Sequence, residues 1–188
     1  MEMIRKENIG KKRVMVLSHL NQLKSEFEMR LHSICLNVAK GIGLDIYDLE
    51  YKTTRPPLLR IYIFDTNSDT ATIEDCVRFD EALTPFIESE EWIPKGITLE
   101  VSSPGIYRTI KTLYHFQRAL NKVISVTTNV RLDQQYAPEL PKRFRGGFKV
   151  KGKLLEVKED ENMISMQLDD KNISIKFDDI KRANVDLD

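Results

Sequence analysis

Residues 99–108 read LEVSSPGIYR, from Leu99 to Arg108, and this stretch decides the fold. Ile97, Leu99 and Val101 alternate with Thr98, Glu100 and Ser102. A two-residue period of apolar and polar side chains is that of a strand with one buried face. Ser103-Pro104-Gly105 then stops it. Proline has no N–H for a sheet ladder, and glycine accepts backbone angles closed to other residues. A cation, Arg108, follows at once.

Upstream, Leu20, Leu23, Phe27, Leu31, Ile34, Cys35 and Val38 recur at three and four residues, one apolar face of a long helix. Gly41 and Gly43 end it. This Gly-x-Gly follows a helix instead of opening one, so it reads as a cap and not as a phosphate loop. Two strands come next, Leu44 to Lys52 and Leu58 to Asp65, with Leu59, Ile61 and Ile63 on one face. Thr72, with Asp75 three residues on, caps a second helix expected to bury Ile73, Cys76, Val77 and Leu83. Pro85 is expected to kink or end that helix. An acidic loop from Glu88 to Lys95 holds Trp92 and leads into the strand quoted first. Helix, two strands, helix and strand make an α/β layer with its helices on one sheet face.

Downstream, Leu113, Phe116 and Leu120 mark a short helix at a domain junction. The period then switches to two. Ile124 and Val126 alternate, as do Ile164, Met166 and Leu168, and then Ile173, Ile175 and Phe177. Lys171-Asn172 fits a tight hairpin between the last two runs. Phe148 to Val157 reads as a long strand bent at Gly152. Five short strands in about 65 residues suit a small β-barrel, with Ala183 and Val185 closing it. The fold class is therefore α+β. It divides into a basic extension over 1–19, an α/β domain over 20–111, a junction helix over 112–121 and a small barrel over 122–188.

Composition bounds the function. A chain of 188 residues holds one domain or two small ones. No apolar run approaches the ~20 residues that cross a bilayer. The opening MEMIRKENIGKKR is too polar for a signal peptide or membrane anchor, so no membrane role is expected. Cys35 and Cys76 sit at helical-core spacings and read as buried thiols of a cytoplasmic protein. Lys+Arg and Asp+Glu number 29 each, but the charges are segregated. Residues 65–91 carry nine acids against one base, Arg78; residues 142–153 carry six bases and no acid. Opposite poles suit a partner that presents both basic protein and acidic RNA.

No catalytic centre emerges. Ser102 and Ser103 lack a nucleophile elbow, and His32 and His115 lie far off in sequence, so both serines read as turn formers. No zinc-binding, Walker or dinucleotide motif is present, and no cofactor is implied. A carboxylate pair from Glu74, Asp75 or Glu81 could bind Mg²⁺, but no spacing marks a site. The best binding candidate is PKRFRGGFKVKGK, Pro141 to Lys153. Its cations Lys142, Arg143, Arg145, Lys149, Lys151 and Lys153 can neutralise phosphates. Phe144 and Phe148 either stack on bases or cap the core. Arg108 and Lys111 are a second cationic candidate, or else pair with the acidic helix. Glu74, Asp75, Glu81, Glu88 and Glu90 form an acidic face for a basic protein. Arg5, Lys6, Lys11, Lys12 and Arg13 make either a solvated arm or a further RNA grip.

These segments resemble the bacterial ribosome maturation factor RimP family, in which a strand ending EVSSPG runs into an Asp-Arg-Pro-Leu turn. Here Arg108 is kept, but Tyr107 and Thr109 stand where the family has aspartate and proline. LDIYDLEY (44–51), LRIYIFD (59–65), TIEDC (72–76), KTLYHF (111–116), GKLLEV (152–157) and FDDI (177–180) resemble family segments in family order. The resemblance covers about residues 30 to 187, with the first ~20 residues and the stretch from Asn129 to Arg145 as additions. It implies an SH3-like or Sm-like barrel. It also implies a non-catalytic, monomeric assembly factor for the 30S subunit that binds the immature particle, 16S rRNA and the small-subunit ribosomal protein numbered twelve. The alternative is an Sm-like RNA-binding or riboregulatory module.

Overall fold

The computed structural model describes residues 25–136 and 140–187. The chain divides into two compact units, Met1–Gly105 and Ile106–Asp188. This division precedes the expected boundary at residue 111, because Thr109 and Ile110 pair with Asn184 and Ala183 in the second unit's sheet. The expected residues Leu20 and Leu23 and the basic arm lie outside the described residues.

In the first unit the order is α1 (Glu26–Gly41), β1 (Leu44–Lys52), β2 (Leu58–Asp65), α2 (Ile73–Ser89) and β3 (Thr98–Ser102). Ser25 caps α1 by accepting from the Glu28 N–H, and Gly43 takes the left-handed turn that lets β1 begin. The strands make a three-stranded sheet in the order β1-β2-β3, antiparallel then parallel. The β1 sequence changes phase: Leu44 and Ile46 are apolar at even positions, Leu49 and Tyr51 at odd ones. A bulge at Tyr47, between Ile46 and Asp48, absorbs that change and keeps all four in one core. Leu59, Ile61 and Ile63 of β2 are fully buried beneath Leu31, Cys35, Phe79 and Leu83 from the helices. Each such burial contributes about 1.5–3 kcal/mol.

α2 departs from its expected packing. Thr72 and Asp75 form the reciprocal capping box that starts it. Its buried residues are Phe79, Leu83 and Ile87; Cys76 is half-buried, while Ile73 and Val77 are exposed. The helix does not end at Pro85 but runs on to Ser89. Proline removes only one ladder bond, and Leu83 and Ile87 anchor the helix on either side of it.

In the second unit the order is β4 (Thr109–Ile110), α3 (Leu113–Arg118), β5 (Val123–Thr128), α4 (Leu132–Gln135), β6 (Lys149–Lys158), β7 (Met163–Leu168), β8 (Lys171–Lys176) and β9 (Ile180–Val185). α3 is part of this unit's core through Phe116, which meets Phe177 edge-on at 5.8 Å. The strands form one antiparallel sheet in the order β4-β9-β5-β6-β7-β8. Among the described residues no ladder joins β4 to β8, so the sheet does not close as the expected barrel would. Ile124, Val126, Val150, Leu154, Ile164, Met166, Ile175 and Ala183 fill its inner face.

The β7–β8 turn is Asp169-Asp170, with Asp169 at φ 57°; Lys171 and Asn172 already pair in the ladder. Asparagine and aspartate both tolerate that conformation, and the hydrophobic register decides between them. Gly152 is required by a close approach: a Cβ there would lie 2.5 Å from Leu168 Cδ2 and collide with the Gln167 carbonyl. The stretch 129–145, an addition by resemblance, nevertheless supplies core residues Leu132, Tyr136 and Leu140.

Candidate nucleic-acid interface

β6 alternates by the simplest rule of a strand. Val150 and Leu154 point into the core, so Lys149, Lys151 and Lys153 point out and are exposed. The register adds neighbours from other strands. Lys149 pairs with Thr127 of β5, whose other neighbour is Arg182 of β9. Lys151 pairs with Ser125, whose other neighbour is Asn184. Lys153 lies beside Val123 on one side and Gln167 on the other. A bulge between Thr127 and Thr128 leaves Lys181 extra in β9, and both Lys181 and Arg182 are exposed.

Lys181 and Arg182 were absent from the candidates read in sequence. The signal was present: once Ala183 and Val185 are assigned inward, the same period puts Arg182 outward.

The six sequence candidates in this region do not behave alike. Lys142 and Arg143 lie in a single 3-10 turn, Lys142–Phe144, and Arg145 follows it. Arg143 is paired with Asp169 of the β7–β8 turn and lies over the Phe144 ring at 4.6 Å. Lys151 is 3.4 Å from Asp186, a carboxyl held below its usual range chiefly by the Ser125 hydroxyl, which donates to it at 2.7 Å. Lys142, Arg145, Lys149 and Lys153 have no carboxylate partner among the described residues. The two phenylalanines split their roles: Phe144 packs against the core, while Phe148 is 46% exposed.

Arg108 and Lys111 are half-buried. Their backbones are engaged, the Arg108 carbonyl by the Val185 N–H and the Lys111 N–H by His115 Nδ1. His115 is buried and accepts from Lys111 at 3.1 Å, a packing role. The Ser102 hydroxyl donates to the Ser103 carbonyl at 3.1 Å, as a turn former does. Cys35 is buried and its thiol is pushed up to about 12 by burial, which makes it inert at neutral pH; both cysteines are unpaired.

On the first unit, the acidic candidates also divide. Asp75 is spent on the α2 cap and on Arg78 at 3.2 Å. Glu90 accepts from the Trp92 indole N–H. Glu74, Glu81 and Glu88 remain exposed. They are seven residues apart, so they line one side of α2 in a single stripe, next to exposed Ile73 and Val77.

A protein-family model described as the RimP N-terminal domain matches residues 34–107. A ribosome maturation factor RimP of Microcystis aeruginosa (strain NIES-843 / IAM M-2473) is 32% identical over 156 residues, covering 82% of this chain and 89% of that protein. The chain belongs to the RimP family. The family match spans α1 from Ile34 onward, the three-stranded sheet, α2 and the SSPG turn. No helix among the described residues is long and apolar enough to cross a membrane.

Proposed function

We propose that this chain is a maturation factor for the small (30S) ribosomal subunit. It acts in the cytoplasm as a monomer, binding the immature particle without making or breaking a bond. The observation that carries the reading is the likeness over 82% of the chain to a protein named as a ribosome maturation factor. The charge layout supports it. Lys142, Arg143, Arg145, Lys149, Lys151 and Lys153, with Arg108 and Lys111 secondary, contact phosphates of 16S rRNA. The stripe Glu74, Glu81 and Glu88, flanked by Asp75 and Glu90, meets a basic protein, the small-subunit ribosomal protein numbered twelve. Several carboxylates near a partner's cations gain more than an isolated exposed pair. The 3-10 turn Phe177–Asp179 before β9 supports relating the second unit to SH3-like and Sm-like barrels, here open between β4 and β8.

Binding energy is the mechanism. A factor that holds rRNA in one arrangement raises that arrangement's population by its differential affinity. Deletion of the gene tests the reading: slow growth, excess free subunits and unprocessed small-subunit rRNA are expected. Normal ribosome profiles in a clean deletion contradict it.

A further inference from the structure

We infer that the outward face of the β9-β5-β6 strands, centred on Thr127 between Lys149 and Arg182, grips duplex RNA by its phosphates and 2′-hydroxyls and not by its bases. This rests on the reading of the chain as an RNA-contacting assembly factor, and names the form of RNA its sheet takes.

The spacing comes first. Lys149, Lys151 and Lys153 are two residues apart on one strand, about 7 Å per step, and Arg182 is two strands from Lys149, about 10 Å. Long side chains on such a grid can follow successive phosphates. Asp186 occupies Lys151, while Lys149, Lys153 and Arg182 have no carboxylate partner among the described residues, and Lys181 adds an exposed cation beside Arg182.

The residues between the cations decide the form of RNA. Thr127 and Gln167 carry a hydroxyl and an amide on this same face, beside Ser125 and Asn184, whose side chains donate to Asp186 and Thr109 and leave their oxygens as acceptors. Such groups suit 2′-hydroxyls and phosphate oxygens, which A-form duplexes display across the shallow groove. Binding of single strands instead relies on aromatic platforms. Among the described residues the outward positions of β5, β6 and β9 hold no aromatic side chain. Phe148, the exposed ring nearest in sequence, lies in the bend before β6 and is not one of these strand positions.

The test uses the full chain and three labelled probes: a mixed-sequence RNA duplex of about 20 base pairs, one of its strands alone, and the DNA duplex of the same sequence. Fluorescence anisotropy gives affinity against salt. Tighter binding of the RNA duplex than of either other probe is expected. Lys149→Gln with Arg182→Gln should flatten the log-affinity against log-salt slope by about 1.5 to 2, two phosphate contacts' worth. The melting temperature should not move, since both side chains are exposed. Tighter binding of the single strand, equal binding of the DNA duplex, no duplex binding, or an unchanged slope in the double variant each overturns the inference. Sedimentation of the wild-type chain with small-subunit particles reports separately on the underlying reading. A chain that rides those particles while its RNA-duplex results fail loses this inference alone.

Discussion

Tyr136 and Asp179 are joined by a hydrogen bond of 2.5 Å: the phenol donates to a carboxylate oxygen 43 residues later in the chain. The same phenol accepts from the Lys176 N–H at 3.3 Å. One side chain from the 129–145 stretch thus fastens the turn before β9. Tyr136→Phe removes a bond to a charged group, and should lower unfolding free energy by about 1–3 kcal/mol. Denaturant titration reads the change.

The same contact sets an alkaline limit. Burial, helped by Asp179, pushes the Tyr136 hydroxyl up to about 12 from its ordinary 10.0. The folded state therefore holds this proton more tightly than the unfolded one. Its contribution is fully present below pH 10 and is lost as pH rises toward 12. Cys35, pushed up from 9.0 to about 12, acts with the same sign from pH 9 upward. Stability should fall above pH 9, and the part lost above pH 10 should shrink in Tyr136→Phe. An unchanged alkaline profile in that variant would contradict the assignment.

Gly152→Ala puts a methyl group against the Gln167 carbonyl and Leu168. The two strands must separate locally, at a cost of about 1–3 kcal/mol. The loss should appear as a lower melting temperature of the full chain. A variant as stable as the parent would show that β7 yields freely.

Glu74, Glu81 and Glu88 changed together to lysine should slow association with the small-subunit ribosomal protein numbered twelve and flatten its salt dependence. Stopped-flow mixing at two salt concentrations gives both. If neither changes, the stripe serves solubility.

Lys142, Arg143 and Arg145 changed together to glutamine should weaken binding to the immature subunit and reduce its salt slope by about 2 to 3. The melting temperature should hardly move, because exposed charges and the Arg143–Asp169 pair add under about 1 kcal/mol. Equal affinity and slope in the triple variant would leave the contact to the β6 lysines with Arg182, or to Arg108 and Lys111.

Much of the fold was legible in the sequence because most of its core strands are periodic. Leu59, Ile61 and Ile63 could only be one face of a strand, and Ile124 and Val126 likewise. The Thr72 cap and the Gly41–Gly43 stop are local chemistry and were equally legible. What failed was long-range. Ile73 and Val77 share a helical stripe, but Phe79, Leu83 and Ile87 form a better one, and only the sheet below decides which is buried. The Asp169-Asp170 turn was displaced because Lys171-Asn172 has equally good turn chemistry, and register settles the choice. Whether six strands close depends on the β4–β8 edges, which no local pattern reports. Of the candidate site, the β6 lysines were visible in one strand. Arg182 needed the β5–β9 register to join them, and the pairing of Asp75 with Arg78 and of Glu90 with Trp92 became visible only once the fold placed those side chains.

The most direct test of the account is where the chain travels in a cell. A lysate sedimented through a sucrose gradient at low salt should carry it with immature small subunits, and raising the salt should return it to the free pool. A chain that stays at the top of the low-salt gradient, or follows the large subunit, contradicts the account.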